Sequence, residues 1–177
     1  MHITNRAGWG AKPATCSTPL PAAAVKGVAI HYSGALAEEK EDHSKCAGVV
    51  KSIQNYHMSK AVDGGKGPWC DIAYSFLVCR HGEVYEGRGW KNRTAAQGTN
   101  AGNDNYVAIC FLGGDKEGRD DVTQKGREAI TDLINMAQKQ IFKKKMDIEP
   151  HSHFHSTGCP GNELRKFITA HPWDAHH

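Results

Sequence analysis

The sequence predicts a single α/β domain, because stretches typical of buried strands alternate along it with stretches of helical periodicity. The chain has 177 residues, of which 39% are hydrophobic and 23% are charged, which is enough for one domain with a buried core. The sequence contains neither an internal repeat nor a low-complexity segment. We expect the domain at residues 25–170, after an arm at 1–24 and before a tail at 171–177.

The first third of the chain predicts an arm, a strand and a helix, in that order. Prolines between positions 13 and 21 favour an irregular arm wrapped over the domain. Small and β-branched residues at 25–30 predict a strand, and His31 lies at its end. The charged residues 35–42 predict a loop, and apolar residues at helical spacing between 46 and 57 predict the first helix.

After the first helix, the sequence predicts three strands, one long loop and two helices. The loop, residues 87–105, is rich in Gly, Asn and Thr and has hardly any aliphatic residue, which favours a functional loop. The other predicted elements are strands at 72–79, 83–86 and 107–112, the first two forming a hairpin, and helices at 123–144 and 163–169.

Charge and hydropathy narrow the class of partner. The formal net charge is +3 with the histidines neutral, and it favours an anionic polymer without indicating nucleic acid. The densest basic run, the lysines at 143–145, is expected to cap the end of a helix. The N-terminus lacks an apolar signal region and no run of eighteen apolar residues occurs, so we expect neither a signal peptide nor membrane insertion.

The six cysteines could in principle form three disulfides. Their surroundings are more typical of buried strand and helix positions than of a disulfide-stapled miniprotein. Cys70, Cys79 and Cys110 are predicted to lie in apolar strands as inert packing thiols. We therefore expect synthesis in a reducing compartment.

The segment most indicative of chemistry is 150–161, PHSHFHSTGCPG. In an extended conformation His151, His153 and His155 point to one side, so at most one or two of them bind a single ion without a bend. The turn at 158–161 can bring the Cys159 thiolate back to that face, and a set of His and Cys suits Zn²⁺. The alternative is surface histidines beside a buried cysteine.

A catalytic zinc site typically has three protein ligands and an open position for water, so this segment needs one more ligand. His31, at the end of its predicted strand, is a candidate donor. A lone histidine at a strand end is otherwise a structural residue, and the residues alone leave both interpretations open.

Six segments, in one order across nearly the whole chain, carry a family resemblance. They are WGA (9–11), AIHYS (29–33), QNYHM (54–58), WCDIAYSFL (69–77), VYEGRGW (84–90) and TGCPG (157–161). Together they resemble the type 2 N-acetylmuramoyl-L-alanine amidases and the related peptidoglycan recognition proteins. The resemblance implies an α/β fold with a central mixed β-sheet flanked by helices and a zinc site in a surface cleft.

The resemblance also implies the residues of the site. In the family the second histidine ligand precedes the cysteine by eight residues, a spacing that His151 satisfies. The implied Zn²⁺ ligands are His31, His151 and Cys159, and the implied catalytic residues are Tyr74 and Thr157. The predicted substrate-binding residues are Trp69, Arg88, Trp90, Asn92 and Gln97.

The chain departs from the family pattern in three places. They are Ser152-His153 after the second ligand, Ala95-Ala96-Gln97 in the loop after the hairpin, and Lys40, where secreted animal members have a cysteine that pairs with the equivalent of Cys46. The last departure agrees with intracellular synthesis.

The implied activity is hydrolysis of the amide between the lactyl group of N-acetylmuramic acid and L-alanine in bacterial peptidoglycan. The leading hypothesis is a monomeric bacteriophage endolysin, made in the host cytoplasm and acting on the cell wall after release, with a possible wall-binding module outside this chain. The second is a recognition module that binds muropeptide without cutting it; there the cysteine ligand is typically replaced, whereas Cys159 is present here. The third is a structural zinc domain, which requires a fourth protein ligand such as His153 or His155.

Overall fold

The computed structural model describes residues 1–34, 42–114 and 121–174, and its central element is a six-stranded mixed β-sheet. The strands are β1 (Ile3–Thr4), β2 (Gly27–Tyr32), β3 (Phe76–Val78), β4 (Val84–Glu86), β5 (Tyr106–Phe111) and β6 (Asp147–Pro150). Their order in the sheet is β1-β4-β3-β5-β2-β6. β3 and β4 pair antiparallel and the other four neighbouring pairs are parallel, which confirms the predicted α/β fold.

Helices cover both faces of the sheet. They are α1 (Cys46–His57), the short turn α2 (Val62–Gly65), α3 (Asn100–Asn105), α4 (Gln124–Met136) and α5 (Asn162–Thr169). α4 continues as a π turn over Ala137–Ile141, and 3-10 turns occur at His43–Lys45, His151–His153 and Pro172–Asp174. Over the described ranges, no helix is both long and apolar enough to cross a membrane.

The strand register divides the side chains between two faces. His31 pairs with Cys110, and Cys110 pairs with Leu77, so these three side chains lie on one face. Their strand neighbours Ile30 and Ile109 lie on the other. Each face has its own buried core, and we call them the α1 face and the α4 face after the helices that cover them.

The two cores differ in composition. On the α1 face, Cys46 and Val50 of α1 are buried with Leu77 and Cys110. The α4 face is the larger core and is almost wholly aliphatic and aromatic, with residues of α4 and α5 packed on the sheet. His31 is therefore a buried polar group on the smaller and more polar of the two faces.

Most predicted elements are present with shifted ends. The hairpin is confirmed, although β3 is shorter than predicted, and the loop at 87–105 contains the short helix α3. The predicted helix 123–144 ends earlier, because the Phe142 N–H donates to the Ala137 carbonyl (2.8 Å) and Lys143 has a left-handed φ of 51°. The lysines at 143–145 therefore follow the helix end. The predicted loop 35–42 lies, except for Asp42, outside the described residues.

Two strands, β1 and β6, were not predicted from the sequence. The N-terminal arm is not wholly irregular, because Ile3–Thr4 pairs with β4 at one edge of the sheet. β6 forms the other edge, and its sequence, Asp-Ile-Glu-Pro, has a single aliphatic residue and ends in a proline. Proline is tolerated at a sheet edge, where no partner needs its missing N–H. Edge strands of this composition carry too little apolar pattern to be recognised.

The prediction for Cys70 is wrong. Cys70 forms a disulfide with Cys16 of the arm, with a Cα–Cα distance of 5.2 Å, and it lies in a bend before β3 instead of in a strand. The Thr15 N–H donates to the Cys70 carbonyl (2.9 Å), so the arm is held against this bend by the backbone as well. Cys79 and Cys110 are buried and unbridged, as expected.

Candidate metal centre

Two adjacent strands and one turn bring His31, His151 and Cys159 together. β2 and β6 are adjacent parallel strands, and Ile30 pairs with Pro150. The residues that follow this pair, His31 and His151, therefore lie side by side. The rings of His31 and His151 have their centroids 4.4 Å apart. Cys159 comes from the turn before α5, and one potential ligand atom from each residue lies within 4.8 Å of the others.

Gln97 fixes the orientation of His31. Its side-chain amide NH₂ donates to the Tyr106 carbonyl (2.9 Å) and to Thr94 Oγ1 (2.8 Å). Because a carbonyl can only accept, the amide oxygen of Gln97 must face His31 Nε2, at 3.2 Å. His31 therefore carries its proton on Nε2, and the lone pair of Nδ1 faces Cys159 Sγ at 3.9 Å.

His151 supplies the second nitrogen. Its Nδ1 is buried and has no hydrogen-bond partner among the residues that the structure describes. A buried polar atom without a partner is rare in folded proteins and is expected where an ion binds. The other ring nitrogen, Nε2, lies 2.9 Å from Nε2 of His155.

Arg165 holds the turn that carries Cys159. Its guanidinium, on α5, donates to the carbonyls of Thr157 (3.2 Å), Gly158 (2.9 Å) and Cys159 (3.2 Å). The Cys159 sulfur also accepts from the backbone N–H of Tyr32 at 3.4 Å. The thiol is thus positioned from both the helix and the end of β2.

Burial sets the protonation of these groups. It lowers the pKa of His31 well below its usual range and that of His151 to about 4, with His155 lowering the latter further. Burial also raises the pKa of Cys159 to about 12, against the opposing effects of the Tyr32 N–H and Arg165. The imidazoles are therefore neutral at pH 7, which is the form that binds metals, and a metal ion binding here would displace the thiol proton.

The donor set fits Zn²⁺. Ligand atoms around a tetrahedral zinc ion stand about 3.5 Å apart, given Zn–N and Zn–S bonds of about 2.0 and 2.3 Å. The three donor atoms lie within 4.8 Å of one another, and two nitrogens with one sulfur are a usual zinc donor set. His153 does not join them, because its ring is exposed and lies 3.3 Å from Glu149.

Tyr74 lies beside this group. Its ring centroid is 5.3 Å from that of His31, on the α1 face. Burial, followed by the nearby Cys110 and Cys159 thiols, raises the pKa of Tyr74 well above its usual value. Its hydroxyl is therefore protonated at neutral pH and is a hydrogen-bond donor.

Thr157 lies in the same turn as Cys159. Its Oγ1 accepts a hydrogen bond from the Cys159 N–H (3.2 Å), which leaves the hydroxyl hydrogen available to another acceptor. The role predicted for Thr157 as a donor in catalysis stays a prediction.

Of the predicted substrate-binding residues, the structure brings Trp69 to the α1 face. Its ring lies 5.0 Å from that of His57, and His57 lies 5.8 Å from Tyr74. Trp69, His57, Tyr74, His31 and His151 thus form a continuous row of rings that ends at the candidate ligands. His57 itself accepts from the Ala73 N–H at 3.1 Å and stabilises the backbone.

Trp90, Arg88 and Asn92 do not come to this group. Trp90 packs 4.3 Å from Phe76, whose side chain belongs to the α4 face, opposite His31. The Arg88 guanidinium donates to backbone carbonyls, among them that of Ile72 at 2.7 Å, and Asn92 donates to the Arg88 carbonyl. Arg88 and Asn92 line a separate cavity of about 170 Å³. The sequence predicts that these residues share a cleft with His31, but it does not show the hairpin register, which places the neighbour of Trp90, Phe76, on the opposite face of the sheet.

Gln97 lies at the site, but in a different role from the one predicted. Its side chain is fully buried, and its oxygen and nitrogen are both engaged by protein groups. It is a positioning residue for His31 instead of a substrate contact. Sequence offered no sign of this, since the two residues are 66 positions apart.

Gly98, the next residue, makes room for His155. It has a φ of +77°, and a Cβ there would stand 2.8 Å from His155 Nε2. The loop after β4 therefore packs closely on the His155 ring, which in turn contacts His151. A glycine in a glycine-rich loop gave no signal for this contact.

The chain is similar to known proteins of one family. The N-acetylmuramoyl-L-alanine amidase family, Amidase_2, matches residues 21–162. Peptidoglycan-recognition protein SC2 of Drosophila simulans is 32% identical over 171 residues, covering 93% of this chain and 85% of that protein. The crystal structure of Drosophila peptidoglycan recognition protein SD superposes with a TM-score of 0.82 at 28% identity, covering 97% of this chain and 95% of that chain. Human PGRP-IBETAC, crystallised in complex with glycosamyl muramyl pentapeptide, gives 0.82 at 26% identity and covers 96% of both chains.

The family match spans well over half of the chain and includes all three candidate ligands. The similar structures extend the likeness over almost the whole fold. The chain therefore belongs to the type 2 N-acetylmuramoyl-L-alanine amidase family, which it shares with the peptidoglycan recognition proteins.

Proposed function

We propose that this protein is a zinc-dependent N-acetylmuramoyl-L-alanine amidase that cuts the peptide stem from the glycan of bacterial peptidoglycan. The observation that carries the proposal is the convergence of His31 Nδ1, an unpartnered His151 nitrogen and Cys159 Sγ into a three-donor group. Three protein ligands leave a fourth position open, as in catalytic zinc sites. Human PGRP-IBETAC, a structural relative, was crystallised with a muramyl pentapeptide, which supports peptidoglycan as the substrate class.

His31, His151 and Cys159 would hold a zinc ion, which would act as a Lewis acid towards the lactyl carbonyl and lower the pKa of a bound water molecule. In the hydrolysis, the water oxygen adds to the carbonyl carbon, the C–N bond breaks, and the L-alanine amine leaves with a proton. The contribution of the chain is to place and orient the reacting groups.

Gln97 contributes by locking the tautomer of His31, so that the Nδ1 lone pair is available without a proton having to move. Tyr74 contributes a protonated hydroxyl beside His31, suited to donate a hydrogen bond to the developing oxyanion or to position the water. The Thr157 hydroxyl accepts from the Cys159 N–H and has its own hydrogen left for the same oxyanion. The row of rings from Trp69 to Tyr74 offers an apolar surface for the substrate.

A second candidate function is binding of muropeptide without hydrolysis. It is favoured by the names of the relatives, which are recognition proteins. The free, buried thiol of Cys159 within the donor group favours the enzyme over this alternative. An endolysin role, a monomeric state and synthesis in a host cytoplasm stay predictions, and the relatives named above are animal proteins.

The test combines metal analysis with release of new amino termini from purified peptidoglycan, for the wild type and Cys159→Ser. The amidase predicts bound zinc and amine release that the substitution abolishes, while circular dichroism shows an unchanged fold. A wild-type protein that sediments with peptidoglycan but releases no amine in the presence of Zn²⁺ would refute the enzyme and leave the recognition module. Absence of both binding and release would refute both.

A further inference from the structure

A second group of metal-binding side chains lies outside the candidate metal centre. It consists of His43, Cys46 and Cys79, whose potential ligand atoms also lie within 4.8 Å of one another. Both cysteines are buried and unbridged, and His43 is exposed. We call these residues the hairpin group, because Cys79 begins the turn between β3 and β4.

The backbone brings the members of the hairpin group together from two elements. His43 and Cys46 are three residues apart on one continuous helical path, from the 3-10 turn into α1, so they lie on the same side. Cys79 follows Leu77 by two residues and shares its α1 face. The turn after Cys79 is closed by the Gly82 N–H donating to the Cys79 carbonyl (2.9 Å).

A fourth donor stands at the edge of this group. The ring centroid of His81 is 5.2 Å from that of His43. Two imidazoles bound to one tetrahedral zinc ion have ring centroids about 5 Å apart, given a Zn–N bond of about 2.0 Å and the size of the ring. His81 follows Cys79 by two residues in the hairpin turn. Its ring nitrogens are not among the ligand atoms that lie within 4.8 Å of one another, so His81 would have to turn towards the ion to bind it.

We propose that the hairpin group binds a second zinc ion, with His43, Cys46 and Cys79 as ligands and His81 completing a closed tetrahedral site. Two thiolates and two imidazoles are a usual set for structural zinc. The ion would join the start of α1 to the β3–β4 hairpin, which are 33 residues apart at Cys46 and Cys79. Its role is structural, because four protein ligands leave no open position for water or substrate.

Hydrogen bonds hold the two cysteines of this group in place. The Cys79 sulfur hydrogen-bonds with the Cys46 thiol and with the backbone at His81 and Glu83. Cys110, on the same face of the sheet, is fully buried and is not part of the hairpin group.

The test uses the full chain with Cys159→Ser, which removes a ligand from the first centre and leaves the hairpin group intact. This protein is loaded with Zn²⁺ and its metal content is read by native mass spectrometry. It is then compared with two double variants that add either His43→Ala or, as the matched control, His171→Asn. Both histidines are exposed, so neither change disturbs the core. Replacing Zn²⁺ by Co²⁺ adds a spectroscopic readout of thiolate ligation.

The expected result is one tightly bound ion in the Cys159→Ser protein and an intense thiolate–cobalt absorbance that Cys79→Ser removes. His43→Ala should weaken binding by more than about tenfold, since loss of a residue that merely orients a ligand already has that effect. His171→Asn should leave the affinity unchanged. No retained ion, equal retention after His43→Ala, or a Cys46–Cys79 disulfide in peptide maps of the wild type would overturn the proposal. None of these outcomes bears on amine release, which tests the first centre separately.

Discussion

The candidate metal centre and the hairpin group have similar side chains and nearly the same spacing, yet they differ in what surrounds them. At the centre, His31 is oriented by Gln97, the Cys159 turn is held by Arg165, and the protonated hydroxyl of Tyr74 lies alongside. At the hairpin group, a second histidine lies close to the first, and the buried Tyr85 hydrogen-bonds with the Cys46 thiol. The different roles that we propose for the two groups therefore rest on the number of ligands and on their supporting hydrogen bonds more than on the donor types.

Loss of a ligand at the candidate metal centre is expected to have the largest effect on amine release. His151→Ala should lower amine release from peptidoglycan by more than about 100-fold, because even residues that only orient a ligand contribute 10–100-fold. The matched control is His153→Ala, two residues away, whose exposed ring faces Glu149. Initial rates at saturating Zn²⁺ measure both. Equal losses in the two variants would place the centre elsewhere in the segment.

α1 connects the two groups, because it begins at Cys46 and ends at His57, against Tyr74. Burial, then Arg88, lowers the pKa of His57 to about 4, while an unfolded histidine titrates near 6.5. Between pH 4 and 6.5 the unfolded chain binds more protons at this histidine than the folded protein does. The free energy of unfolding therefore falls as the pH falls from about 6.5 to 4. The contribution of His57 to this fall is roughly 3 kcal/mol, at about 1.4 kcal/mol per pKa unit.

Urea unfolding at several pH values measures this contribution. His57→Gln should flatten the dependence on pH in that window, because its amide oxygen can still accept from the Ala73 N–H without titrating. His171→Asn, at an exposed histidine, should reproduce the wild-type slope. A His57→Gln curve parallel to that of the wild type would mean that His57 is solvated in the native protein.

A smaller effect tests the orientation of His31. Gln97→Ala should weaken Zn²⁺ binding at the centre by about 10–100-fold, because His31 loses the partner that fixes its tautomer. Asn92→Ala, in the same loop, is the control, since its amide bonds to the Arg88 carbonyl instead. Competition with a chromogenic chelator gives both affinities. An unchanged affinity in Gln97→Ala would show that His31 is held by packing alone.

The smallest effect on activity is expected at the hairpin group. His43→Ala should leave amine release within about twofold of the wild type, because His43 is exposed and does not belong to the candidate metal centre. Its melting temperature should stop responding to Zn²⁺ at the second site, when measured in the Cys159→Ser background. A large loss of amine release in His43→Ala would mean that the two groups are coupled and would end the distinction drawn above.

Much of the fold was predictable, because the inner strands β2 and β5 and the helices α1 and α4 carry strong apolar periodicity. The edge strands were not, since β1 is two residues long and β6 has one aliphatic residue. The Cys16–Cys70 bridge was missed for a related reason: it depends on where an irregular arm returns to the domain, and no local pattern records that.

At the site, the family spacing predicted the three residues that the structure brings together. The supporting residues were harder. The alternation of His151, His153 and His155 indicates an extended run, whereas a 3-10 turn starts at His151 and His153 lies against Glu149. The sequence predicts Trp90 in the cleft, but Trp90 packs on Phe76, and the register of β3 directs Phe76 to the α4 face. A change of register by one residue moves each side chain to the other face of the sheet, and the sequence alone does not show the register.

Arg165 links the two faces of the sheet mechanically. Its neighbours on α5, Leu164 and Ile168, are buried in the α4-face core, while its guanidinium holds three successive carbonyls of the Cys159 turn. We therefore expect a cavity made at Leu164, a residue of the opposite core, to loosen the turn that carries Cys159. Packing substitutions in the α4-face core should then weaken zinc binding at the candidate metal centre.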